Sequence, residues 1–217
     1  KILAKLGWDG EIRNGQCNRG ERNCLFDYLL VNEANVGINK ANYFLIRSLE
    51  VKTQINESGQ IEKKLTIFYE NKSPSEIFPG GRYKNYLRIY APEGSAFQEC
   101  KIDDVRPEEC KVDQTVEHQK QVFGFLVEVP VGKKIKVELS WQLPGSLTEG
   151  KYIFLVQKQP GTKGDGLALS VFYPPTLKAF PKTVGGLTGQ EVLFYNTKLD
   201  SDLIFEVDFK LNNNGQS

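Results

Sequence analysis

Ile135-Lys136-Val137-Glu138-Leu139-Ser140-Trp141-Gln142-Leu143 alternates apolar and polar side chains without a break. A period of two puts the five apolar residues on one face of an extended chain and the polar ones on the other, the pattern of a strand with one face buried. The same period runs through Leu45–Ile55, where Leu45, Leu49, Val51, Thr53 and Ile55 share a face. It runs again through Leu203–Leu211, with Leu203, Phe205, Val207, Phe209 and Leu211. Asn56-Glu57-Ser58-Gly59 joins Leu45–Ile55 to a strand presenting Ile61, Leu65, Ile67 and Tyr69, a hairpin signal. Runs of strand length also occur at Phe26–Val31, Asn85–Ala91, Val122–Val129, Tyr152–Gln157, Leu167–Tyr173 and Glu191–Tyr195. About nine strands between Gly/Pro-rich turns, with no long helical period, predict an all-β, antiparallel β-sandwich of immunoglobulin-like or related type.

Residues 1–42 read as an N-terminal extension. Lys1–Leu6 carries the last turns of an amphipathic helix stopped by Gly7, followed by turns at Asp9-Gly10 and Asn14-Gly15 and a cysteine loop. Residues 43–211 are expected to form the sandwich and 212–217 a polar tail. A candidate break between Pro174-Pro175 and Gly185-Gly186 leaves only two strands beyond it. Two strands cannot bury a core alone, so one domain is expected.

Composition narrows the function classes. Lys and Arg number 28 against 27 Asp and Glu, a formal charge of +1, which argues against a nucleic-acid partner. No apolar run approaches the ~20 residues that span a bilayer. The chain has no Met and opens on no signal peptide, so the numbering is expected to begin inside a longer or processed protein. The four cysteines fall as two close pairs flanking polar loops, Cys17 with Cys24 and Cys100 with Cys110. Sequence allows three connectivities; local pairing is the economical one and would stabilise by roughly 2.5 to 3 kcal/mol per loop. Zinc sites use closer cysteine spacings or histidines, and His118 is the only histidine. Two disulfides and no metal are predicted, in an extracellular setting.

Catalytic sets are sparse. One histidine makes a Ser-His-Asp or Cys-His site improbable. Gly161-Thr-Lys-Gly-Asp-Gly166 is followed by Leu167 where a phosphate-binding loop needs Lys. The acid pairs Asp103/Asp104, Glu108/Glu109 and Asp200/Asp202 read as solvated surface. No catalytic residue and no cofactor are assigned. Three loops carry candidate ligand-binding residues instead. The first holds Asn35, Asn39, Lys40 and Asn42, which could donate several hydrogen bonds to an anionic or carbohydrate group. The second, Pro79-Gly80-Gly81-Arg82-Tyr83-Lys84-Asn85-Tyr86, offers Arg82 as a planar fork with Tyr83 and Asn85 beside it. The third places Lys158 and Gln159 where a strand gives way to a loop. Lys40, Asn35 and Glu33 also supply the residue types of a Lys–Asn isopeptide cross-link promoted by an acid.

These stretches carry a resemblance. Gly7-Trp8-Asp9-Gly10, Asp27 to Tyr43, Pro79 to Tyr86 and Tyr152 to Gly161 resemble, in order and over most of the chain, the C-terminal portion of a bacterial envelope family known as domain of unknown function 4012. The resemblance implies a large parent protein with an N-terminal membrane helix that projects outside the cell. It also implies an upstream domain likened to enzymes that attach glycopolymers to the envelope. That domain and the helix are expected to lie outside this chain, and the cysteine loops depart from the family pattern. The reading that follows is a cell-surface module, structural or binding, contacting an envelope polysaccharide or a surface protein through Lys40, Arg82 and Lys158. Its rivals are an accessory half of an envelope glycopolymer-transferring enzyme, which needs Lys40 and Arg82 in one cleft, and an adhesin or pilus-like subunit with an unpaired edge strand.

Overall fold

The computed structural model describes residues 10–15, 17, 23–103 and 110–212. The N-terminal helical turns, Trp8, Asp104, Glu108, Glu109 and most of the polar tail lie outside the described residues. The strands are β1 (Cys24–Asn35), β2 (Leu45–Ile55), β3 (Ile61–Asn71), β4 (Tyr83–Pro92), β5 (Ala96–Ile102), β6 (Asp113–Glu117) and β7 (Lys120–Val129). They continue with β8 (Lys134–Gln142), β9 (Gly150–Gln157), β10 (Asp165–Phe172), β11 (Leu177–Pro181), β12 (Leu187–Gly189), β13 (Val192–Leu199) and β14 (Leu203–Leu211). One 3-10 turn, Ala41–Phe44, precedes β2.

Two seven-stranded sheets pack face to face, ordered β11-β14-β9-β1-β4-β7-β6 and β12-β13-β10-β2-β3-β8-β5. The expectation of about nine antiparallel strands is corrected: β1 pairs parallel with β9, and β2 parallel with β10. Both sheets are therefore mixed, and the sandwich is larger than the seven-to-nine-strand immunoglobulin type. The layout is the same in each sheet. A long early strand sits fourth in order, with a parallel neighbour on one side and an antiparallel one on the other. Cys24–Asn35, assigned by sequence to the extension, is that central strand of the first sheet.

Alternation explains the packing. In β8, Ile135, Val137, Leu139 and Trp141 are buried while Lys136, Glu138, Ser140 and Gln142 are not. Trp141 has no exposed surface, and its ring centre lies 6.1 Å from that of Phe123 on the opposite sheet. Burying side chains of this size stabilises by roughly 1.5–3 kcal/mol each. The β2–β3 hairpin closes in register, Ile55 opposite Ile61. Gly150 opens β9 at φ 113, where a Cβ would fall 1.8 Å from the Asn23 carbonyl oxygen; only glycine fits that approach. Disulfides join Cys17 to Cys24 and Cys100 to Cys110, the local pairing. Among the described residues no helix is long and apolar enough to cross a membrane.

Candidate functional site

The first two candidate loops meet at one end of the sandwich. The Lys40 N–H donates to the Pro79 carbonyl at 2.9 Å, and Asn39 Nδ2 donates to the Arg82 carbonyl at 2.8 Å. Most of the amides are engaged in shaping this end. Asn35 Oδ1 accepts the Gly37 N–H at 2.9 Å, while its Nδ2 donates to the Asn39 carbonyl at 3.1 Å and to Asn42 Oδ1 at 3.2 Å. Asn85, with no exposed surface, accepts the Ala34 N–H at 2.9 Å. Gln159 bonds both backbone groups of Glu33, each at 2.9 Å. Its amide thus serves β1 as a strand partner just past the end of β9. Tyr83 is buried beside Tyr69.

The cations divide. Lys158 Nζ donates to the carbonyls of Gln159 and Thr162, at 3.3 and 2.8 Å, and staples its own loop. Arg82 reaches Glu128 at 3.1 Å on the flank. Lys40 is exposed, which takes the Lys40, Asn35 and Glu33 trio out of the buried setting that a cross-link needs. His118 is exposed in the turn between β6 and β7.

Between the first and third loops lies a cleft of about 260 Å³, lined by Asn35, Asn42, Tyr43, Tyr83, Gln159 and Lys163 above a charged floor. Neither Lys40 nor Arg82 lines it. In the floor, Arg47 Nη2 donates to Asp165 Oδ2 at 2.5 Å, and Nη1 stands 2.8 Å from Glu33 Oε2, out of hydrogen-bonding alignment. Tyr69 donates its hydroxyl to Glu33 Oε1 at 2.6 Å. Burial works against the Arg47 charge, but Glu33 and Asp165 outweigh it and hold the guanidinium pKa above its ordinary value. Burial and the Glu33 charge both push the Tyr69 and Tyr83 hydroxyls well up. At the mouth, Lys163 Nζ sits 4.8 Å from the centre of the Tyr43 ring. The sequence reading missed Arg47, Tyr43, Lys163 and Asp165 as site residues and singled out Glu33 only as the acid of a cross-link. A signal existed for Arg47: it stands in the inward phase of β2, between Leu45 and Leu49.

Two further surfaces share only Tyr43 with the cleft's lining. The bonded loops expose Val36, Ile38, Tyr43, Ile77 and Phe78, with Ile38 at 102% and Ile77 at 76%. On the outer face of the second sheet runs a groove of about 660 Å³. Thr66, Ala168, Ser170, Phe172, Phe194, Lys64 and Glu138 line it, and Lys52 Nζ lies 4.6 Å from the centre of the Phe172 ring. Among the described residues no group of three or more His, Cys, Asp or Glu side chains is placed to hold a metal ion.

No protein-family model and no curated protein matches the chain. Solved structures do resemble it. A Legionella pneumophila protein assigned to nutrient binding superposes with a TM-score of 0.58 at 8% identity, over 84% of this chain and 71% of that one. Leukotriene A4 hydrolase from Saccharomyces cerevisiae superposes with a TM-score of 0.50 at 8% identity, over 78% of this chain. The match spans 30% of the hydrolase. At these identities the likeness is one of fold.

Proposed function

We propose that this chain is a non-catalytic binding module of an extracytoplasmic bacterial envelope protein, and that it engages a protein partner through the loop end of the sandwich. The observation that carries the reading is the row of exposed apolar side chains, Val36, Ile38, Ile77 and Phe78, on two loops that are bonded to each other. Large apolar side chains grouped on one rigid surface suit a partner that buries them. Lys40 and Arg82 lie on the same loops and would form a charged rim. Placement outside the membrane, in a membrane-anchored parent, follows the resemblance to domain of unknown function 4012; the two disulfides suit such an oxidising compartment. The fold-level likeness to a protein assigned to nutrient binding agrees with a binding role.

A second reading, an envelope polysaccharide as ligand, draws on the groove of the second sheet, where Phe172 and Phe194 stand beside polar side chains. The enzyme reading gains nothing from the end cleft, which neither Lys40 nor Arg82 lines. The adhesin reading meets short edges: β5, β6, β11 and β12 run seven, five, five and three residues, and short edges resist strand addition. Co-sedimentation with bacterial envelopes tests the proposal. The wild-type chain is expected to sediment with intact envelopes and not with protease-stripped ones, and an Ile38→Ser/Phe78→Ser variant with neither. Sedimentation that survives protease and is lost on glycan removal supports the second reading. A folded chain that never sediments overturns both.

A further inference from the structure

β3 carries a lysine on its core-facing side. Ile61, Leu65, Ile67 and Tyr69 occupy the buried phase of that strand, and Lys63 stands between the first two. In β1, Asp27 shares the phase of Leu29 and Val31, which belong to the main core. The two strands lie in opposite sheets, and their charged groups meet between them. Lys63 Nζ is 2.6 Å from Asp27 Oδ2, and neither side chain has any exposed surface. Lys63 Nζ also donates to Thr53 Oγ1 at 2.8 Å and to the Tyr152 hydroxyl at 3.1 Å, and lies 3.5 Å from the centre of the Phe154 ring. Asp27 Oδ1 accepts the Tyr28 N–H at 2.7 Å, while Oδ2 accepts the Tyr152 hydroxyl.

As a device for stability alone, a fully buried ion pair is a weak choice, because apolar side chains of similar volume often serve as well or better. The geometry has another use. It holds an amine against a carboxylate, 2.6 Å from Oδ2, and sets an N–H donor at Oδ1 and a hydroxyl at Oδ2. We propose that Lys63 and Asp27 condense into an intramolecular isopeptide bond that ties the two sheets together, with Tyr152 as the proton relay. In the dry site a proton passes from Nζ to Oδ2, leaving a neutral amine beside a carboxylic acid. Burial lowers the Lys63 pKa against the opposing pull of Asp27, which favours the neutral amine. The amine lone pair attacks Cγ, and the charge that develops on Oδ1 faces the Tyr28 N–H. Tyr152 takes a proton from Nζ and returns its own to Oδ2. The Cγ–Oδ2 bond breaks, Oδ2 leaves as water with both protons, and a neutral secondary amide remains. The balance is the loss of one water, with no oxidant or co-reactant. Holding the two groups in contact makes the step unimolecular.

Mass spectrometry of the purified wild-type chain, reduced and alkylated, tests this without any variant having to fold. The expected mass is one water below that of the sequence with its four cysteines alkylated, and a digest should contain one branched peptide joining the segment with Lys63 to the segment with Asp27. Asp27→Ala and Lys63→Met should each restore the full mass. Tyr152→Phe should slow condensation, so that freshly made protein shows both masses; wild-type speed in that variant would remove Tyr152 from the relay. A wild-type chain at full mass overturns the proposal. So does a water loss mapped elsewhere, such as a succinimide at Asp165-Gly166.

Discussion

Replacing Arg47 by methionine tests whether the charged floor of the end cleft is as dry as the geometry implies. The guanidinium lies within 2.8 Å of Glu33 and 2.5 Å of Asp165, and the three side chains are 5, 13 and 10% exposed. Methionine keeps the apolar stem but strands two carboxylates at the end of the core. Removing one partner of a buried ion pair costs roughly 3–5 kcal/mol, chiefly because the remaining charge stays desolvated. The carboxylates keep about a tenth of their surface, so the lower end applies, about 3 kcal/mol. With a urea slope of roughly 2 kcal/mol/M, the unfolding midpoint should fall by about 1.5 M at unchanged slope. Trp141 fluorescence is a suitable probe because that ring is fully buried. The control is Lys64→Met, which breaks a 2.6 Å pair to Glu138 whose lysine is 45% exposed; exposed pairs are worth under about 1 kcal/mol. Adding Glu33→Gln and Asp165→Asn to Arg47→Met should recover much of the loss, since the stranded charges are then gone. A shift for Arg47→Met no larger than the control would refute the reasoning and mean that water reaches the floor.

Two further outcomes are expected. Burial first, then the charge of Glu33, raises the Tyr69 and Tyr83 hydroxyls well above their ordinary value. An unfolded tyrosine loses its proton near pH ~10, so above that pH the unfolded state binds fewer protons than the folded one. Their contribution is therefore intact below pH ~10 and lost progressively above it, a decline that urea midpoints on either side of that value would detect. All the tyrosines of the folded chain ionising together near pH ~10 would count against it. Asn71, with no exposed surface, donates to the carbonyls of Gly81 and Val129 and accepts the Ser73 N–H, all at 2.9 Å. Asn71→Ala should cost about 3 kcal/mol by orphaning these groups and speed amide exchange in residues 72–82; a loss below ~1 kcal/mol with unchanged exchange would remove Asn71 as the bracket of that loop.

The strands that the sequence marks are those with a buried face. Leu45–Ile55 and Leu203–Leu211 match their observed bounds, because alternation is the direct trace of one side facing a core. The strands it hides lie at sheet edges. Asp113–Glu117 and Leu187–Gly189 bury almost nothing and are held by ladder hydrogen bonds to a single neighbour; no side-chain pattern records that bonding. The parallel pairings of β1 with β9 and β2 with β10 were hidden for a similar reason. Which strands become neighbours depends on contacts between residues more than a hundred positions apart.

The site divides along the same line. Asparagines and glycines in residues 35–42 and 79–85 announced structured loops, since those residues favour turns and local side-chain bonds to backbone. That Asn39 would hold the 79–82 segment, or that Gln159 would serve β1 as a strand partner, came only from the packing. Two charged residues were legible as exceptions: Arg47 and Lys63 break the apolar phase of their strands, and a charge in that position must find a partner or forgo burial. Alternation in the sequence by itself determined a two-sheet β architecture and the faces of its main strands. Only the tertiary structure decided which strands adjoin, and that Asp27 meets Lys63 while Glu33 and Asp165 meet Arg47, because the partner of a buried charge is chosen by the approach of a distant strand.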